Sequence, residues 1–327
     1  MKTILSGITP SGKLHIGNYF GAIRQHIAMQ KQGDAFYFIA NYHSLTSVNN
    51  GEEVRQNTFD IALDYLTLGL NPSRCTFFAQ SDVPQVTELA WILGTLSPVS
   101  LMEKGVAYKD KVAQGMKPNI GLFTYPILQA ADILIYNSDV VPVGQDQKQN
   151  IEICRDLAGK LNHTYDEELL TIPKEHIVKS VAVVPGIDGR KMSKSYKNTI
   201  GIFDEGKTLK KKVMSIKTDS TPLDEAKDPE KCNVFALIKL FADDELKSEI
   251  AEKYRAGGYG YGHAKKELLT LIEDYFAEAR AKRRELETDM DYVRDVLKDG
   301  GEKARKRAES VMKPIREATG IIKNHSF

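Results

Sequence analysis

The sequence predicts an α/β fold: an open, mostly parallel sheet over residues 1–190, followed by an all-helical region. Three observations lead there. Short apolar runs alternate with amphipathic helical spacing through the first half of the chain. These runs are apolar at nearly every position rather than every second one, as in strands covered on both faces. After residue 198 only helical spacing remains.

Taken in order, Thr3-Ile4-Leu5-Ser6-Gly7 reads as a first strand, Ile8-Thr9-Pro10-Ser11-Gly12 as a turn, and residues 15–31 as a helix. Ala35-Phe36-Tyr37-Phe38-Ile39-Ala40 is the second strand. Residues 52–68 form an amphipathic helix with Val54, Phe59, Ile61, Leu63 and Leu66 on its apolar face. Cys75-Thr76-Phe77-Phe78-Ala79-Gln80 is the third strand. From about 83 to 125 the alternation lapses into a helical insertion containing Trp91, Leu93, Leu96 and Leu101, then a charged stretch at 103–111. A connection this long carries structure of its own, and it is expected to reach over the site or form a subunit contact. A helix at 127–136 and a strand at Val140-Val141-Pro142-Val143 resume the sheet. Beyond a loop at 185–198, helices are expected at 207–216, 234–241, 244–254, 263–284 and 289–297.

Composition narrows the function. The 327 residues carry 44 acidic and 45 basic side chains, a net charge of +1. That excludes a polybasic scaffold, so a nucleic-acid partner must be met by a local patch. Residues 291–327 supply a basic excess, nine Lys or Arg against six Asp or Glu. Cys75, Cys154 and Cys232 lie far apart, without the spacing of a zinc or iron–sulfur site, so a reduced, cytoplasmic chain without a metal centre is expected. The start of the chain lacks the apolar core of a signal peptide. No run approaches the ~20 apolar residues of a membrane span, and no membrane role is expected.

Two constellations could carry chemistry. In Pro10-Ser11-Gly12-Lys13-Leu14-His15-Ile16-Gly17-Asn18, Gly17 lets a ligand approach the backbone, while helix-start amides, His15 and Asn18 can face one anionic group. An ordinary glycine-capped turn would read the same way. In Lys191-Met192-Ser193-Lys194-Ser195, two lysines and two hydroxyls on a glycine-containing loop suit a triphosphate whose charge passes to a leaving group. Alone, this run would equally describe a solvated face. Asp132, between Ala131 and Ile133 in an apolar helix, is costly there unless it is paired or faces a ligand. A solvated edge or a bond to a nearby amide are the alternatives.

These motifs together resemble the class I aminoacyl-tRNA synthetases, whose paired signatures are His-Ile-Gly-His and Lys-Met-Ser-Lys-Ser. Within that class the chain is similar to the bacterial tryptophan-specific family over essentially its whole length. The resemblance rests on residues 7–18, on Leu122-Phe123-Thr124-Tyr125-Pro126-Ile127-Leu128-Gln129-Ala130-Ala131-Asp132-Ile133-Leu134, on Val141-Pro142-Val143-Gly144-Gln145-Asp146-Gln147-Lys148-Gln149, and on the lysine loop.

The resemblance implies a Rossmann-like catalytic domain at 1–190 and a mobile lysine loop at 191–198. It also implies an anticodon-binding helical domain at 199–301, a last helix at 302–327 returning to the catalytic domain, and a homodimer. It further implies ATP-dependent activation of L-tryptophan, with Mg²⁺ offsetting phosphate charge, and transfer of the aminoacyl group to tRNA(Trp). His15, Asn18, Lys111, Lys191 and Lys194 would be catalytic. Thr9, Ser11, Gly17, Asn18, Gly144, Asp146, Lys191, Met192, Ser193 and Lys194 would hold ATP. Leu5, Gly7, His43, Tyr125, Gln129, Asp132, Val141, Val143 and Gln147 would hold tryptophan, with Asp132 accepting the indole N–H.

Three positions depart from the family pattern. Asn18 replaces the last histidine of the first signature, Thr9 stands where many members carry glutamine, and Gln129 where many carry methionine. The rivals are a tyrosine-specific synthetase, a small-molecule nucleotidylyltransferase, and an RNA-binding paralogue without activity.

Overall fold

The computed structural model describes residues 2–103, 108, 115, 119–144, 147–177 and 183–321. Five parallel strands form one sheet: β1 (Thr3–Ile8), β2 (Asp34–Ile39), β3 (Cys75–Ala79), β4 (Val140–Val143) and β5 (Lys174–Ile177). Their order is β3-β2-β1-β4-β5. The chain winds outward from β1 to β3 and then returns to the other side of β1. The reversal opens a crevice at the carboxyl ends of β1 and β4, where open α/β sheets bind ligands.

Strand residues alternate between two cores. Ile4, Ala35, Tyr37, Ile39, Cys75 and Phe77 face one, whereas Leu5, Phe36, Phe38 and Phe78 face the other. Burial on both sides explains why these strands read as continuous apolar runs. Facing Phe38 across the β1–β2 register is Gly7. A Cβ on Gly7 would fall 2.4 Å from the Phe38 ring, so only glycine lets that ring lie over β1.

The helix after β1 is continuous but not uniform: α1 (Ile16–Asn18) passes through a π-helical turn (Tyr19–Ile23) into α2 (Arg24–Met29). Next come α3 (Asn41–Ser44), α4 (Gly51–Thr67), α5 (Gln85–Thr95), α6 (Val99–Glu103), α7 (Ile120–Leu134) and α8 (Lys148–Tyr165). α7 starts well before the expected residue 127. Asn119 caps it by accepting from the Leu122 amide at 2.8 Å, and Pro126 is carried inside the helix with its ring buried. Sequence spacing did not anticipate α8 or β5.

The helical half comprises α9 (Gly206–Met214), α10 (Asn233–Phe241), α11 (Asp244–Ala256), α12 (Tyr261–Tyr275), α13 (Ala277–Glu287) and α14 (Met290–Thr319). The single helix expected at 263–284 is two. Phe276 breaks it by turning into the core, edge-on to Tyr19 and Phe241. Ile200, Leu237, Tyr254 and Leu297 share one core with Ile4, Phe20 and Tyr37, so this half is continuous with the sheet.

α14 joins into one helix what the sequence divided between 289–297 and 302–327, and runs for 30 residues, about 45 Å. It lies directly on the edge strand β3: a Cβ at Gly300 would sit 1.8 Å from the Phe77 carbonyl oxygen. Covering the edge removes an open pairing surface. Farther along, Arg316 grips the Glu88 carboxylate of α5 at 2.6 and 2.7 Å.

Candidate active site

The first cluster joins the two sequence signatures. His15 is the N-cap of α1. Its Nδ1 accepts from the Asn18 amide at 3.3 Å, and Asn18 Oδ1 accepts from the His15 amide at 3.1 Å. This reciprocal cap satisfies two orphan helix-start donors. It also assigns the ring proton to Nε2. The imidazole is 6% exposed. Burial and the nearby Lys194 ammonium hold its pKa down to about 4, so the ring is neutral at pH 7. Asn18, which lacks the imidazole of the general signature, thus completes the capping box that His15 opens, through its amide oxygen.

Gly17 is where the second signature touches the first. Its amide donates to Met192 Sδ at 3.4 Å, and a Cβ there would lie 3.0 Å from His15 Nδ1 and 3.2 Å from Met192 Cβ. Lys194 Nζ donates to the carbonyl oxygens of Gly12 at 2.8 Å and Ser11 at 3.0 Å. Partial burial lowers that ammonium to about 8. The lysine loop is shaped from inside by Asn198, 1% exposed. Asn198 Oδ1 accepts from the Ser193 amide at 2.8 Å; its Nδ2 donates to Asp188 Oδ1 at 2.7 Å and the Lys191 carbonyl at 3.1 Å. These bonds leave the Lys191 side chain exposed.

The second cluster surrounds a cavity of about 480 Å³ at the β1–β4 crevice. Leu5, Gly7 and Thr9 line it from β1 and the following turn, His43 from α3, and Tyr125, Gln129 and Asp132 from α7. Val141, Val143, Gly144 and Gln147 close it from β4 and the start of α8. All nine residues expected around an amino-acid side chain therefore share one cavity, with Thr9 and Gly144 of the expected ATP set at its rim. His15, Gly17, Asn18, Met192, Ser193 and Lys194 gather instead in the first cluster, with Ser11. Lys111 and Asp146 lie outside the described residues.

The cavity wall is largely apolar, with a polar floor. Asp132 is 1% exposed; burial pushes its carboxyl up, while hydrogen bonds from His43 and Gln80 oppose the rise. His43 Nε2 lies 2.9 Å from Oδ2. On one side, Gln147 Oε1 accepts from Gln129 Nε2 at 3.3 Å and Asn150 Nδ2 at 2.9 Å. The departure at Gln129 is thereby absorbed into an amide network. Burial raises the Tyr125 phenol, and its bond to Asn150 works against this.

Sequence reading missed Gln80, Phe38, Asn150, Asn198 and the Ser6–His26 pair. Ser6 Oγ lies 2.8 Å from His26 Nε2, whose other nitrogen meets the Tyr65 hydroxyl at 3.1 Å. Burial holds His26 down to about 4. Only the pairing of Asp132 with a nearby amide had a signal, the cost of a lone carboxylate in an apolar helix.

Comparison with known proteins bears on this geometry. A family model described as tRNA synthetases class I (W and Y) matches residues 1–277. A tryptophan–tRNA ligase from Fusobacterium nucleatum is 54% identical over 99% of each chain, and one from Rhodopirellula baltica is 51% identical over 97% of this chain and 99% of the relative. The crystal structure of tryptophanyl-tRNA synthetase from Campylobacter jejuni complexed with ADP and tryptophan superposes with a TM-score of 0.92. It is 48% identical and covers 97% of this chain and 99% of that one. On the match over residues 1–277 and on relatives sharing about half their residues along nearly the full length, this chain belongs to the tryptophan and tyrosine family of class I tRNA synthetases.

Proposed function

We propose that this chain is a tryptophan–tRNA ligase: it activates L-tryptophan with ATP to tryptophanyl-AMP, releases pyrophosphate, and transfers the aminoacyl group to the terminal ribose of tRNA(Trp). The observation that carries the amino-acid assignment is Asp132, a carboxylate 1% exposed at the floor of a largely apolar cavity. Gln80 and His43 compensate its burial from behind, and the acceptor capacity they leave at a largely apolar cavity suits the N–H of an indole ring. The bound tryptophan and ADP of the Campylobacter relative support the same substrates.

In the first step the tryptophan carboxylate attacks the α-phosphorus and pyrophosphate leaves. The protein supplies position and charge rather than a nucleophile. His15, neutral, donates from Nε2 toward the phosphates, and the Asn18 amide nitrogen serves the same end. Lys194, with Lys191 free to join it, neutralises charge moving onto the leaving group as the loop 191–198 shifts. Thr9, Ser11, Gly144 and Asp146 are assigned to the nucleotide, and Lys111 to the phosphates, on the resemblance alone for Asp146 and Lys111. Among the described residues no three His, Cys, Asp or Glu side chains gather into a metal site. Mg²⁺ bound with the triphosphate would offset part of its charge.

Residues 199–301 are assigned to the anticodon and the basic excess after 291 to the RNA backbone. A homodimer is supported by Trp91, Val99 and Ile120, which are 75%, 64% and 77% exposed on α5 and α6, both packed against α7, and on α7 itself. The chain is placed in the cytoplasm with its tRNA; among the described residues no helix is long and apolar enough to cross a membrane.

ATP–pyrophosphate exchange with each of the twenty amino acids tests the proposal. Exchange dependent on tryptophan, with very weak exchange on tyrosine, is the expected result. Equal or greater exchange with tyrosine would reject the amino-acid assignment.

A further inference from the structure

We propose that Gln80 is the positioning residue that sets the charge and orientation of Asp132, leaving the Oδ1 oxygen of Asp132 as the atom that accepts the indole N–H. This deepens the tryptophan reading above and rests on it. Gln80 opens the short turn after β3 and is 1% exposed. Its Nε2 donates to Asp132 Oδ1 at 2.8 Å and Oδ2 at 2.9 Å, and its Oε1 accepts from the Tyr42 amide at 3.0 Å. Because a backbone N–H claims the oxygen, the amide cannot flip: its nitrogen must face the carboxylate.

The count of acceptors then singles out one oxygen. An ionised carboxylate offers about four lone-pair positions, two on each oxygen. Oδ2 receives Gln80 and His43, whereas Oδ1 receives Gln80 alone. An arriving N–H finds its free position on Oδ1. The turn that carries Gln80 and the helix that carries His43 are tied together by Asn41, whose Nδ2 donates to Ser81 Oγ at 2.8 Å and whose Oδ1 accepts from the Ser81 amide at 3.1 Å. Both donors to Asp132 therefore move as one unit. Burial favours the neutral acid, which would turn one oxygen into a donor; the two N–H groups favour the carboxylate. Gln80 thus keeps the floor acceptor-only, and a side chain without a donor leaves it unpaired.

The titratable groups facing Asp132 are His43 from α3 and Tyr136 in the turn just past α7, with Asp82 acting on Tyr136. From α8, Cys154 faces the same helix through the Ala130 carbonyl. Burial holds Tyr136 and Cys154 protonated.

Two variants with opposite pH signatures test the proposal. Gln80→Glu keeps the shape and the acceptor for Tyr42 but replaces the donor with an acid. Two carboxyls this close cannot both ionise freely, so tryptophan use should fall at least tenfold below wild type at pH 8, with the deficit growing as pH rises. Gln80→Ala removes one donor, raises the Asp132 pKa, and should show a deficit that grows as pH falls toward 6. In both, ATP KM should stay near wild type, and a tryptophan analogue with sulfur in place of the indole N–H should lose less than threefold. Equal losses for tryptophan and the analogue, pH-independent deficits, or unchanged tryptophan use would each overturn the role of Gln80. Wild-type protein without tryptophan-dependent exchange would instead overturn the underlying function.

Discussion

Lys194 reaches across 182 residues of sequence to the first signature, where its Nζ donates to the Gly12 carbonyl at 2.8 Å. Gly12 offers that carbonyl because it adopts φ +90°, a left-handed turn open to glycine at little cost. The contact partly buries the ammonium and lowers it to about 8, so its charge changes within the working range of an enzyme.

Replacing Lys194 with alanine should lower adenylate formation by about 10²-fold or more, since one donor aimed at developing charge contributes roughly 3–4 kcal/mol. Tryptophan binding alone should hardly change. Lysine is charged below its pKa, so wild-type exchange at subsaturating ATP should decline as pH rises through about 8. Lys194→Arg keeps its charge there, so any activity it retains should lack that decline. An identical alkaline limb in both proteins would show that another group titrates.

The strands at β1 to β4 were legible because burial on both faces selects unbroken apolar runs. β5 was not: Lys174-Glu175-His176-Ile177 has no such run, and among the described residues it pairs with β4 alone. Asp132 could be read as a problem in need of a partner, but Gln80 could not be read as the answer. A glutamine after a strand is unremarkable until the fold brings it to a carboxylate 52 residues away. Asn198 was visible only as the end of a charged loop, and its burial depends on the turn at Gly186, where a Cβ would lie 2.3 Å from its side chain. The break at Phe276 was hidden for a related reason: helical spacing continues through it, and only aromatic partners from α10 and the π-helical turn pull it inward.

Asn198→Ala should separate the shaping of the lysine loop from its charge. It strips the Ser193 amide and the Lys191 carbonyl of their internal partner and removes the main support of the Asp188 carboxylate, held down to about 2. Unfolding stability should fall, because the Ser193 amide and the Lys191 carbonyl lose their partner. ATP KM should rise about tenfold while tryptophan KM stays within a factor of two or three. Denaturant melts and exchange kinetics measure both; an unaltered ATP KM would remove Asn198 from the nucleotide side.

Gly300→Ala probes the seat of the last helix. The new methyl would lie 1.8 Å from a backbone carbonyl oxygen, which no rotamer change can relieve, so α14 must lift from β3. Overpacking of this kind costs about 1–3 kcal/mol. Gly159→Ala, inside α8 with nothing within 4 Å, is the control and should gain roughly 0.5–1 kcal/mol from helix propensity alone. Thermal unfolding of the two variants should therefore shift in opposite directions, and a neutral Gly300→Ala would mean that the helix is free to slide.

Asp132 joins burial to substrate choice most directly. Changing it to alanine removes the acceptor proposed for the indole N–H and also leaves Gln80 Nε2 and His43 Nε2 facing an empty position. The loss of an acceptor in a desolvated pocket is worth roughly 2–3 kcal/mol, about 30- to 150-fold in tryptophan use. Asparagine keeps the volume and one carbonyl. Gln80 Nε2 reaches both oxygen positions and His43 Nε2 one of them, so in either orientation the asparagine oxygen keeps a donor while its NH₂ group is turned toward one. Asp132→Asn should therefore fall between wild type and alanine. ATP KM should move little in either variant, because the nucleotide is assigned to His15, Asn18 and the lysine loop. Exchange measured at varied tryptophan and varied ATP decides the matter: a selective rise in ATP KM with normal tryptophan use would place Asp132 outside the indole pocket.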